Sequence, residues 1–181
     1  MKILGISGSA REASTNTALL IAIKGFAPDG VEMQVFHSLH KLPVFSPDLE
    51  GELTPAPVNV FLRAVSECDA LVISSPEYVR SIPGGLKNAI DWMVSRFEIV
   101  GKPIVMVHAS HRGDDMLASL RVVLSTVSNN FIQGVYLRIP LVGKSLDEAG
   151  ERLRLPEIES EIRSFWRDLM AETHSCTGAQ T

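Results

Sequence analysis

The residues best equipped for chemistry fall in three short stretches of the 181-residue chain. The first reads Gly8-Ser9-Ala10-Arg11-Glu12-Ala13-Ser14-Thr15-Asn16-Thr17, between an apolar run and an amphipathic one. It combines a glycine for close backbone approach, several hydroxyls, one guanidinium and the free amides of a helix start. Free amides and the helix dipole favour an anion, and Arg11 adds charge-assisted hydrogen bonds, so the stretch suits a phosphate. It lacks the lysine of a nucleoside triphosphatase loop, and it lacks G-x-G-x-x-G. The second apolar run ends in Phe36-His37 instead of an acid for a ribose, so a lone terminal phosphate fits better than a pyrophosphate. The plainer reading of the same residues is a helix capped by Ser14 or Asn16.

The second stretch, Ser74-Ser75-Pro76-Glu77-Tyr78-Val79-Arg80-Ser81-Ile82-Pro83-Gly84-Gly85-Leu86-Lys87-Asn88-Ala89-Ile90-Asp91-Trp92, opens with a stiff turn carrying two prolines and two glycines. Tyr78 offers a flat surface with a polar tip, suited to lie beside a ring system. The third stretch, His108-Ala109-Ser110-His111-Arg112-Gly113-Asp114-Asp115, is polar and charged. Arg112 there reads in two ways: as a cation facing a ligand, or as a surface arginine paired with Asp114 or Asp115. His37/His40 and His108/His111 have i, i+3 spacing, but no cysteine or carboxylate pattern completes a metal site. Gly5-Ile6-Ser7-Gly8 lacks the G-x-S-x-G elbow of a serine hydrolase.

These stretches need elements to position them, and the hydropathy pattern supplies a candidate set. Short apolar runs at Ile3–Ser7, Val31–Phe36, Ala70–Ser75, Ile104–His108 and Gly134–Ile139 read as strands. Between them, apolar residues recur at helical spacing: Leu19/Leu20/Ile23/Phe26, Phe61/Leu62/Val65, Leu86/Ile90/Met93/Phe97 and Met116/Leu117/Leu120/Val123/Leu124/Val127. A last helix follows Pro156, with Ile158, Ile162, Phe165, Trp166 and Leu169 on its buried face. Residues 37 to 57 form a long proline-rich loop, and 144 to 155 are ambiguous, although Ser145 and Glu148 have capping-box spacing. Five strands alternating with helices predict an α/β fold: a flavodoxin-like, doubly wound five-stranded parallel sheet of order 2-1-3-4-5, with helices on both faces. The domain spans 1–172, and 173–181 read as a disordered tail. Ligands of such sheets bind beyond the carboxyl ends of the strands, where all three stretches lie.

Composition narrows the partners. A net charge of −4 leaves no basic footprint for nucleic acid. Two distant cysteines, Cys68 and Cys176, imply no disulfide framework. No stretch approaches the ~18 apolar residues of a membrane span, and the N-terminal run is too short for a signal peptide. A cytoplasmic protein with no membrane partner is expected.

The first stretch resembles the G-S-x-R-x-x-S-x-N signature of the NADPH-dependent FMN reductase family. The second is similar to that family's P-E-Y-N-x-S-x-P-G-x-L-K-N-A-I-D-W motif, and the order of elements to about residue 140 follows the family's. The resemblance implies FMN as cofactor and NADPH or NADH as donor. Its phosphate would be held by Ser9, Arg11, Ser14 and Asn16, with Thr17 alongside. Pro76, Glu77, Tyr78, Val79 and Ser81 would border the ribityl chain and ring, and Ser110, His111, Arg112 and Gly113 would close over the pyrimidine edge. The family commonly has asparagine where this chain has Val79, a change that spares a backbone contact but not a side-chain one.

Under that resemblance the flavin carries the chemistry, so no side chain is assigned a catalytic role. Hydride would pass from NADPH to the flavin, and two electrons onward to free flavin, a quinone, an azo compound or a metal oxyanion. Arg80 and Arg112 are candidates for a nicotinamide 2′-phosphate. A homodimer or homotetramer is implied, with Trp92 and Met93 fitting either an interface or the core. Two rivals stand beside this: an FMN-binding electron carrier without NAD(P)H activity, and a regulatory protein that keeps the fold without turnover.

Overall fold

The alternation of apolar runs with amphipathic segments produces five parallel strands and six helices in the computed structural model, which describes residues 1–177. The strands are β1 (Lys2–Ser7), β2 (Glu32–Phe36), β3 (Ala70–Ser74), β4 (Ile104–His108) and β5 (Phe131–Arg138), in the order β2-β1-β3-β4-β5. The helices are α1 (Thr15–Gly25), α2 (Ala56–Glu67), α3 (Gly84–Asp91), α4 (Asp114–Val127), α5 (Leu146–Leu153) and α6 (Pro156–Thr177). The fold is flavodoxin-like. The central strands β3 and β4 are buried at every residue, as a parallel sheet covered on both faces demands.

Strand alternation sends side chains to two separate cores. Leu4, Ile6, Leu71, Ile73, Ile104 and Met106 face α2, α3 and α4. Ile3, Val72, Val105 and Val107 face α1, α5 and α6. Burying each such aliphatic side chain stabilises the fold by roughly 1.5–3 kcal/mol, so the sheet is a rigid platform for the loops at its ends.

Four elements differ from the sequence expectation. The helix carrying Leu86 and Ile90 stops at Asp91, where the backbone tightens to i→i+3 bonds (Met93 to Ile90, Val94 to Asp91, Arg96 to Met93). The stripe loses phase there: Trp92 and Met93 are core residues, whereas Phe97 is 92% exposed. Strand β5 starts at Phe131 and not at Gly134, because its pairing with β4 shifts between Ile104 and Met106. Gln133 and Gly134 sit exposed within that irregularity and imitate a turn in the sequence. The ambiguous 144–155 segment contains α5, closed by a true capping box: Ser145 Oγ accepts from the Glu148 amide, and the Glu148 carboxylate accepts from the Ser145 amide.

Helix α6 continues through Thr177, so Thr173–Thr177, expected as tail, are helical; residues 178–181 lie outside the described residues. No helix among the described residues is long and apolar enough to cross a membrane.

Candidate functional site

Each strand-to-helix junction of a parallel sheet emerges at the same end, and four of them enclose a cleft of about 650 Å³. Its walls are Ser9, Arg11, Ser14 and Asn16 after β1, Pro76 to Tyr78 after β3, His108 to Ser110 with Arg112 at β4, and Val142 to Leu146 after β5.

The β1 junction brings together the groups that an anion site requires. Ser14 caps α1, its Oγ accepting from the Thr17 amide at 3.4 Å, so the amides of Thr15 and Asn16 in the first turn have no intrahelical acceptor. Ser9 Oγ accepts from the Arg11 amide at 3.3 Å and folds the loop back on itself. Gly8 allows the loop to approach β3: a Cβ there would lie 2.8 Å from Ser75 Oγ and 2.9 Å from Leu86 Cδ2. Asn16 is buried, its Oδ1 accepting from Ser74 Oγ at 3.0 Å, which ties α1 to the end of β3. Thr17 shares a 2.8 Å hydrogen bond with Ser7 and does not line the cleft; its role is to join α1 to β1. The plain-cap reading of Ser14 and the phosphate reading of the loop are therefore compatible.

After β3, Pro76 and Glu77 lead into a two-residue hairpin. Tyr78 and Ser81 exchange both backbone hydrogen bonds, at 3.1 and 3.0 Å, while Val79 and Arg80 turn the corner at φ 51° and 57°. Tyr78 is half-exposed at the cleft. Val79 and Ser81 belong to the hairpin but stand outside the cleft lining. Arg80 leaves the site as well, pairing with Asp115 at 2.6 Å and clamping the hairpin to α4.

The β4 junction is held by His108, the first residue of the third stretch, and by Arg138 of β5, which no motif singles out. His108 is buried, with Nδ1 3.1 Å from the Ser75 carbonyl and Nε2 2.5 Å from the Arg112 carbonyl. Its imidazole therefore bridges the β3 and β4 loops. Burial pushes the His108 pKa below its ordinary value, outweighing the two carbonyls, and the charge of Arg138 acts in the same direction as burial. Arg138, from β5, donates to the carbonyls of Ser110 at 2.7 Å and Arg112 at 3.1 Å and pairs with Asp114 at 3.0 Å. Gly113 is required beneath: its φ is +100°, and a Cβ would meet His108 Nε2 at 2.9 Å.

Both aspartates are thus taken, Asp114 by Arg138 and Asp115 by Arg80. The pairing of Arg112 with either one is not what the structure has. Arg112 is exposed, contributes to the cleft lining and forms no ion pair among the described residues. His111 is exposed and outside the lining. Among the described residues no group of histidine, cysteine and carboxylate side chains converges on a possible metal site.

The wall after β5 was missed. The signal for it was present in the Gly143-Lys144 turn followed by the Ser145/Glu148 box, since a helix start after a parallel strand falls at the ligand end.

An open sheet of order 2-1-3-4-5, with a cleft at the carboxyl ends of its strands lined by the β1 loop and the Tyr78 hairpin, is a flavodoxin-like fold. The model of the NADPH-dependent FMN reductase family matches residues 1–141, and the chain belongs to that family. It is 33% identical over 114 residues to a quinone reductase of Escherichia coli K12, covering 61% of this chain and 60% of the relative. An NAD(P)H-dependent FMN reductase of Pseudomonas aeruginosa is 37% identical over 112 residues, with the same coverage of 61% and 60%. The matches thus span about 60% of these relatives' length. Among solved structures, a flavoenzyme NAD(P)H:(acceptor) oxidoreductase from Paracoccus denitrificans superposes with a TM-score of 0.66. It is 23% identical and covers 92% of this chain and 95% of that one, a likeness of fold.

Proposed function

We propose that this chain is an NAD(P)H-dependent FMN-binding oxidoreductase that passes electrons to a small acceptor such as a quinone, an azo compound or free flavin. The observation that carries the reading is the cleft itself: family motifs on β1 and β3 meet at one cavity, with an unpaired arginine and open helix amides at one side and Tyr78 at another. The donor set fits FMN, since a phosphate suits the Ser9–Asn16 cradle and a flat ring suits the Pro76–Tyr78 wall.

FMN, when bound, supplies the hydride acceptance and electron delivery. The protein's part is to hold and orient it. Ser9, Arg11 and the amides of Thr15 and Asn16 anchor the phosphate. The backbone of Pro76–Tyr78, stiffened by the hairpin and the Arg80–Asp115 clamp, fixes the ring wall. His108 and Arg138 set the β4 loop so that Arg112 meets the ligand from the opposite side. Positive charge there favours an anionic reduced ring, so Arg112→Ala is expected to lower the flavin midpoint potential, measured by dye-linked reduction.

The same reading takes the protein as a cytoplasmic homo-oligomer. Exposed Val94, Phe97 and Val100 next to α3 supply an apolar face for assembly.

The deciding experiment is an absorbance spectrum after FMN addition and desalting, followed by anaerobic NADPH. A retained flavin band that bleaches within seconds is expected. A retained band left oxidised would make the protein an electron carrier, and failure to bind FMN even in titration would overturn the reading.

A further inference from the structure

We infer that Lys144, on the turn between β5 and α5, is a second phosphate-binding cation that closes the flavin cradle opposite Arg11; this rests on the FMN reading above. The residue lies beyond the 1–141 span of the family match, so no family motif assigns it.

The backbone places Lys144 firmly. Leu141 is fully buried and donates its amide to the Ala109 carbonyl at 2.9 Å, which fixes the end of β5 to the end of β4. Gly143, at φ +80°, then turns the chain, and the Lys144 amide closes that turn on the Leu141 carbonyl at 3.2 Å. Helix α5 packs against α1, which brings this turn to the cradle side of the cleft. Lys144 and Arg11 line the same cavity as a result.

Charge gives the site its specificity. A phosphate monoester carries about −1.5 to −2 at neutral pH, more than one arginine neutralises. Neither Arg11 nor Lys144 forms an ion pair among the described residues. Glu148 is the acid whose field Lys144 feels, but its carboxylate is spent on the Ser145 amide, which also holds it below the usual carboxylate range. Glu77 is the one carboxylate on the cleft lining, and it accepts from the Met116 amide at the start of α4. Arg11, Lys144 and Arg112 thus line the cleft without an ion pair among the described residues, and the first two lie on the β1 and α5 sides that the phosphate reading uses.

The test is a titration of the flavin-stripped full chain with FMN and with riboflavin, which lacks the phosphate, followed by flavin fluorescence. For Lys144→Ala we expect the Kd for FMN to rise about tenfold, as for loss of one charge-assisted hydrogen bond, with the Kd for riboflavin unchanged. Lys144→Arg should restore FMN binding. An unchanged FMN Kd, or equal weakening of both flavins, would overturn the assignment. A wild-type chain that captures neither flavin would instead overturn the FMN reading on which it rests.

Discussion

Val79 and Arg80 occupy left-handed backbone at φ 51° and 57°, and Val79 is 99% exposed. A two-residue hairpin with both central residues at positive φ favours asparagine or glycine, and a β-branched side chain there is strained. The strain is held by the two Tyr78–Ser81 hydrogen bonds and by the Arg80–Asp115 pair. Val79→Asn is therefore expected to stabilise the protein by about 1 kcal/mol in urea unfolding while leaving FMN affinity unchanged. The sequence marks Val79 as a departure from the family pattern, but the positive φ that makes the departure costly becomes visible only in the structure. His108 gives a pH dependence. Its folded-state pKa lies below the ordinary value, so the unfolded chain takes up a proton first as pH falls. The stability that His108 contributes is complete above about pH 6.5 and is lost as pH falls below it towards the depressed folded-state value. Melting curves between pH 7.5 and 5.5 should show a drop in Tm for the wild type that is smaller in His108→Asn.

At the scale of elements, the family motif on α3 does structural work. Asn88 Oδ1 accepts from the Phe45 amide at 2.8 Å, and Asn88 Nδ2 and Trp92 Nε1 both donate to the Pro43 carbonyl at 2.9 Å. Phe45 meets the Trp92 ring edge-on, with centroids 5.0 Å apart. The proline-rich loop between β2 and α2, long enough to suggest mobility, is thereby pinned and folded into three short 3-10 turns. Asn88→Ala is expected to cost about 2 kcal/mol by leaving the Phe45 amide and Pro43 carbonyl short of partners. Faster hydrogen exchange at Phe45, ahead of global unfolding, would be the measurement. The strands, their order and the β1 and β3 loops were legible because apolar runs and turn residues repeat at short range. The use of Asn88 and Trp92, the bridging by His108 and Arg138, and the wall after β5 depend on partners 26 to 49 residues away, which no local pattern records.

Across the whole molecule, the two faces of the sheet are closed by different parts of the chain. One face is sealed by α2, α3 and α4, the other by α1 with the late helices α5 and α6. Trp166 of α6 is buried, and its Nε1 donates to the Ile23 carbonyl of α1 at 2.8 Å, joining residues 143 positions apart. Trp166→Ala should cost about 3–5 kcal/mol in urea unfolding, although the residue lies far from the cleft and beyond the family match. The cleft cations have a consequence for how a ligand arrives. Arg11, Arg112 and Lys144 ring the cavity of a chain whose net charge is −4. A phosphorylated ligand is repelled by the molecule as a whole and drawn in only within about one screening length, ~8 Å at physiological ionic strength. Added salt then acts on capture in two opposing directions, easing the approach and loosening the final hold.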